Sequence, residues 1–95
     1  MTYKLRFQEL ALAEWKKLDA TIRERFKKKL VERLQNPRVP TAALSSMKNC
    51  YKIKLHDVGY RLIYQVEDNI VSVSVIAIGK REKNEVYKLA KARLQ

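Results

Sequence analysis

Between Cys50 and Tyr64 the chain reads CYKIKLHDVGYRLIY, and three cations fall on one side of it. Tyr51, Ile53 and Leu55 alternate with Lys52, Lys54 and His56; further on, Tyr60, Leu62, Tyr64 and Val66 alternate with Arg61, Ile63 and Gln65. Two period-2 runs joined by a short segment ending in Gly59 predict an antiparallel hairpin. With a loop over His56–Gly59, Leu55 pairs with Tyr60 and Lys54 faces Arg61. One face of the hairpin is then aromatic and aliphatic, and the other carries Lys52, Lys54 and Arg61 within one side chain's reach. Like charges opposite one another across strands are destabilising. The expectation is an anionic ligand on that face.

Two residues further along extend the set. Arg81 follows Gly79 at the end of a later predicted strand, where loops emerge over a sheet, and can reach the same face. Tyr87 lies about two helical turns on, as a core tyrosine or as a ring that stacks on a base. Cleavage of RNA by its own 2′-hydroxyl needs that hydroxyl deprotonated, the charge of the phosphorane neutralised and the 5′-oxygen protonated. Crowded cations disfavour one another's charged forms, so a lysine among them has a lowered pKa and approaches general-base competence. Arginine stays protonated and clamps phosphate oxygens bidentately. These groups suffice for metal-free transesterification, which is slow unless the substrate is pre-positioned. The plainer alternative is a solvated lysine-rich sheet face. Lys27, Lys28 and Lys29 on a helix, together with Lys80, have the same two readings: solvent-facing charge, or a footprint for backbone phosphates.

Other chemistry has little to stand on. One histidine and one cysteine supply no metal-ligand spacing and no catalytic pair, and two glycines supply no phosphate-cradling loop. Cys50 reads as a small apolar residue. His56 reads as a solvated turn residue, or as an acid or base lacking a second histidine or glutamate in the hairpin. No cofactor is expected.

The elements that must position these groups fit one small domain spanning 1–95. Lys and Arg number 21 against 10 acids, a formal charge of +11, which favours nucleic acid over an anionic membrane surface. No apolar run approaches the ~20 residues of a span, no signal-peptide core opens the chain, and a lone cysteine fits a reducing cytoplasm. Tyr3, Leu5 and Phe7 alternate as a first strand with one buried face. Leu10, Ala11, Trp15 and Leu18 recur at helical spacing, suggesting a helix that ends near Asp19. Either Asp19 or a Thr21–Glu24 capping box starts the next helix. There Ile22, Phe26, Leu30 and Leu34 form an i, i+4 stripe, which Asn36-Pro37 stops. Leu44 and Met47 anchor the connection to the hairpin. After Glu67-Asp68-Asn69, the run 70–78 predicts a central strand covered on both faces and broken by Gly79. A last helix, 84–94, carries a narrow apolar stripe. The order β-α-α-β-β-β-α predicts an α+β fold: an antiparallel sheet of about four strands, with the two N-terminal helices packed on one face, and a C-terminal helix.

At this point the residues resemble the RelE toxins of bacterial type II toxin–antitoxin modules. The similarity runs nearly end to end, through LAEWKKLD, KKKLVERLQNPRV, CYKIKL, GYRLIYQV and IGKRE followed by EVY. The resemblance implies a microbial-ribonuclease-like fold and a ribosome-dependent endoribonuclease that cuts messenger codons in the vacant A site of the 70S ribosome, leaving a 2′,3′-cyclic phosphate. It implies Lys54 as general base with Lys52 stabilising charge beside it, and Arg61 holding the scissile phosphate. Arg81 would stabilise the transition state or protonate the leaving oxygen, and Tyr87 would orient the target base. Ser45-Ser46 stands where close relatives carry an arginine and a glycine, a departure that bears on one auxiliary phosphate contact and on the shape of that turn but not on the main set. The resemblance also implies a RelB-like antitoxin that wraps the toxin and displaces or remodels the C-terminal helix, with DNA met only through that antitoxin. Two alternatives use the same chain: a non-catalytic basic RNA-binding module, and the gyrase-poisoning branch of the superfamily, which usually lacks this lysine–arginine set.

Overall fold

The computed structural model describes residues 2–80, 82 and 84–94; Arg81 and Lys83 lie outside the described residues. The order is β1 (Lys4–Phe7), α1 (Glu9–Lys17), α2 (Ala20–Gln35), a 3₁₀ turn (Pro40–Ala42), β2 (Cys50–Leu55), β3 (Tyr60–Glu67), a second 3₁₀ turn (Asp68–Ile70), β4 (Ser72–Lys80) and α3 (Glu85–Arg93). The α+β order is the one expected. The sheet runs β1-β4-β3-β2, with β2, β3 and β4 antiparallel. It is mixed and not wholly antiparallel, because β1 pairs parallel to β4. The two helices between β1 and the hairpin return the chain so that β1 lies along β4 in the same direction.

Local chemistry sets the helix ends. The Gln8 side chain accepts hydrogen bonds from the Leu10 and Ala11 amides and caps α1. Asp19 caps α2 through the Thr21 amide, which settles the choice between the two candidate starts. Ile22, Phe26 and Leu30 are buried and Leu34 packs at the cluster's margin. On α1 it is Ala11, Trp15 and Leu18 that face inward, whereas Leu10 is 54% exposed.

The sheet has a core on each side. On one face α1 and α2 cover Ile53, Leu55, Leu62, Tyr64, Val66, Val73 and Val75. On the other, α3 covers Ile63, Ile76 and Ala77 with Val86 and Ala90, together with Met47 and Cys50. The three helices therefore do not share a face. Burial pushes the Cys50 thiol up to about 11, as expected of a structural cysteine.

β4 is the covered central strand of the sequence reading, but its bounds shift. Ile70 is 46% exposed in the turn before it, Val71 turns with φ of 49°, and the strand continues through Gly79 to Lys80. A register shift in the β3–β4 pairing leaves Ile76 as the extra residue between Val75 and Ala77, so Val75 and Ile78 face α1 and α2 while Ile76 and Ala77 face α3. β1 is less buried than its alternation suggested: Leu5 is 39% exposed, because β1 is an edge strand with one neighbour.

Candidate active site

The hairpin has the expected register. Leu55 pairs with Tyr60, Lys54 with Arg61 and Lys52 with Ile63. Gly59 closes the loop at φ 71°, and its amide donates to the Leu55 carbonyl at 2.9 Å. Across the loop Arg25 of α2 holds Asp57 through two hydrogen bonds of 2.7 and 2.9 Å, and this guanidinium keeps the Asp57 carboxyl below the usual carboxylate range. The turn that sets Lys54 against Arg61 is thereby tied to the helical layer.

Arg61 also meets α3. Its Nη1 donates to the Tyr87 hydroxyl at 2.8 Å, and its guanidinium lies 5.4 Å from the centre of the Tyr87 ring. Lys54, Arg61 and Tyr87 are thus brought together on the α3 side of the sheet, half-buried. Lys52 follows two residues along the same face of β2.

Beside them an open groove of about 380 Å³ runs along the free edge of β2, lined by Lys29, Arg33, Thr41, Ala42, Lys52, Ile53, Lys54 and His56. Five of its side chains are basic or imidazole, and none is acidic. Lys29 and Arg33 are one helical turn apart, so they reach the groove from one side of α2. The Arg33 Nη1 donates to the Lys52 carbonyl at 3.1 Å and to the Tyr64 hydroxyl at 2.9 Å. Tyr64 in turn donates to the Pro37 carbonyl at 2.7 Å. Sequence reasoning singled out Lys29 and missed Arg33; the i, i+4 spacing of these two next to the lysine strand was the available signal.

The remaining sequence-predicted residues sit apart. Lys27 and Lys28 are exposed and do not line the groove; Lys27 lies 4.0 Å from Glu24. Lys80 pairs in register with Tyr60 and lies over its ring at 5.8 Å, on the opposite side of the sheet from Arg61. Arg81 lies outside the described residues. A second concavity, of about 490 Å³, lies at the far end of β3, lined by Arg38, Asn49, Glu67 and Asp68 among others. Within it Asp68 accepts from Tyr3 and Arg38, which together hold its carboxyl low. Among the described residues no group of three His, Cys, Asp or Glu could hold a metal ion.

A family profile described as the ParE toxin of the type II toxin-antitoxin system, parDE, matches residues 5–85. The chain is also 55% identical over 94 residues to the mRNA interferase toxin RelE of Escherichia coli K12, covering 99% of both. The chain belongs to the RelE/ParE toxin family. Among solved structures, a double-substituted variant of E. coli toxin RelE in the free state superposes with a TM-score of 0.92 at 54% identity, covering all of both chains. The same toxin variant in complex with a peptide of the antitoxin RelB gives 0.83 at 56% identity over 95% of each chain. This chain keeps the family's fold.

Proposed function

We infer that this chain is an mRNA interferase: a single-domain RelE-type endoribonuclease toxin spanning 1–95. The observation that carries the reading is the placement of Lys54 directly opposite Arg61, with Arg61 holding Tyr87. In this reading the Lys54 amine takes the proton of the 2′-hydroxyl as that oxygen attacks phosphorus. Lys52 and Arg61 neutralise the phosphorane, and Arg61 orients the scissile phosphate. The 5′-oxygen departs with a proton, leaving a 2′,3′-cyclic phosphate and a 5′-hydroxyl. The assignment of Arg81 to that departure, as charge stabiliser or proton donor, rests on the family resemblance. Tyr87 offers a ring on which a base can stack.

Lys29 and Arg33 continue the positive surface beyond Lys52 and Lys54, with the His56 imidazole in the same groove, in line with a strand of RNA whose phosphates run along the edge of β2. Lys27, Lys28 and Lys80 contribute long-range attraction instead of contacts in the groove. The open, shallow site cannot by itself fix a flexible messenger in attack geometry, so positioning by the 70S ribosome is part of the proposal. A RelB-like antitoxin is the proposed inhibitor, DNA is met through that partner alone, and the cytoplasm is the proposed compartment.

The test incubates the protein with messenger-programmed ribosomes having an empty A site, and with the same RNA free. Cuts on the ribosome alone, with cyclic-phosphate ends, are expected; Lys54→Ala should slow them by about 10²-fold or more, the usual contribution of a general base. Salt-sensitive binding without cuts in either sample would make the face a docking surface and remove the catalytic roles.

A further inference from the structure

β1 is shorter than the strand it pairs with. Its last partner on β4 is Val75, and the final bond of the ladder runs from the Gln8 amide to the Val75 carbonyl at 2.8 Å. Beyond that point β4 continues to Lys80, and its outward backbone groups meet side chains where a strand would otherwise lie. The Glu14 carboxylate accepts from the Ile78 amide at 3.1 Å, and the Arg93 guanidinium donates to the Ile76 carbonyl at 2.9 Å. The two side chains join through paired bonds of 2.7 and 3.0 Å. Glu14 comes from α1 on one side of the sheet and Arg93 from α3 on the other, so they meet around the open edge of β4.

Between its ends α3 is held by a narrow apolar stripe. Val86 and Ala90 are buried and Leu94 packs at the margin, while Leu89 is 40% exposed. A helix of nine residues does not hold its shape in water alone. Among the described residues its side chains are fastened by Arg61–Tyr87 near its start and by Arg93 to Glu14 and the Ile76 carbonyl at its end, about 9 Å apart along the axis at 1.5 Å per residue. Arg93 is only 11% exposed, so losing Glu14 strands a nearly desolvated charge and uncovers a backbone amide.

We propose that Glu14 and Arg93 are positioning residues: by clipping the end of α3 to the open edge of β4, they hold Tyr87 in contact with Arg61. The proposal rests on the endoribonuclease reading for its effect on rate, but its structural half stands apart from that reading. The test therefore has two arms, applied to Arg93→Ala, to the milder Glu14→Gln, to Tyr87→Ala and to the Arg93→Ala/Tyr87→Ala double variant.

In the first arm, hydrogen exchange is followed residue by residue. In Arg93→Ala the α3 amides are expected to exchange at least about tenfold faster, with β3 amides unchanged, and the Tyr87 ring signals should shift. Glu14→Gln keeps a carbonyl for Ile78 and should show a smaller change of the same kind. In the second arm, single-turnover cleavage on programmed ribosomes should slow about tenfold or more in Arg93→Ala with half-saturation unchanged, and the double variant should cut no more slowly than Tyr87→Ala. Unchanged α3 exchange in a folded Arg93→Ala protein overturns the proposal, as do losses that multiply in the double variant. A parent that does not cut refutes the endoribonuclease reading instead, and the exchange arm still decides the clip.

Discussion

An ammonium set directly across a strand pair from a guanidinium is repelled by it, and Lys54 opposite Arg61 is such a pair. A general base must offer a lone pair to the 2′-hydroxyl. Lys54→Arg keeps a positive charge but offers no lone pair at neutral pH, so its single-turnover rate on programmed ribosomes should remain as slow as that of Lys54→Ala. Full rescue by arginine would reduce Lys54 to a fixed charge. Tyr87 shows a different economy of means. Its hydroxyl accepts from the same Arg61 that is assigned to the phosphate, so one hydrogen bond holds ring and guanidinium together.

At the scale of the element, the hairpin loop is the part most dependent on a single backbone conformation. Gly59 sits at φ 71° with open space where a Cβ would stand, so Gly59→Ala meets no clash and pays only the left-handed backbone penalty. Chemical denaturation should show a loss of about 1–2 kcal/mol. The hairpin was legible because alternation, turn and glycine agree; α2 was legible because its apolar stripe is strict. β4 was legible only as a buried strand. Val75, Ile76, Ala77 and Ile78 are all apolar, so nothing in the pattern betrays the extra residue that reverses which side each faces. The parallel partnership of β1 follows from how two helices return the chain, a tertiary outcome with no local signal. α3 on the second face was hidden for a related reason: Ile63, Ile76 and Ala77 fall among polar or apolar neighbours alike, and only the folded sheet assembles them into a patch. The Glu14–Arg93 clip joins residues 79 apart, and neither position is unusual on its own helix.

For the molecule as a whole, an excess of cations means that its few acids carry much of the ordered electrostatics. Asp57 is held low by Arg25, and Asp68 by Tyr3 and Arg38. A carboxyl whose folded pKa is depressed contributes stability above its unfolded value, near 3.8, and loses that contribution as pH falls through the folded value. Melting temperature should therefore hold down to about pH 4 and fall below it, and Asp57→Asn should flatten part of that fall. The charged face was legible in the sequence down to the facing pair. The α2 side of the groove was only half legible: Lys29 was singled out, whereas Arg33 meets the Lys52 carbonyl only once the layers are packed.

β2 is an edge strand, bridged along its outer side by Ala43 to Tyr51 and by the Leu44 amide to the Cys50 carbonyl, with Arg33 on the Lys52 carbonyl. An uncovered edge invites another copy to add a strand, and inward-facing lysines are a common defence against such aggregation. Lys52 and Lys54 lie on that edge. Cations on such an edge disfavour the addition of a strand, and neutralising them removes that protection together with the proposed chemistry. A loss of cutting in Lys52→Ala or Lys54→Ala reports on catalysis only while light scattering still finds a monomer.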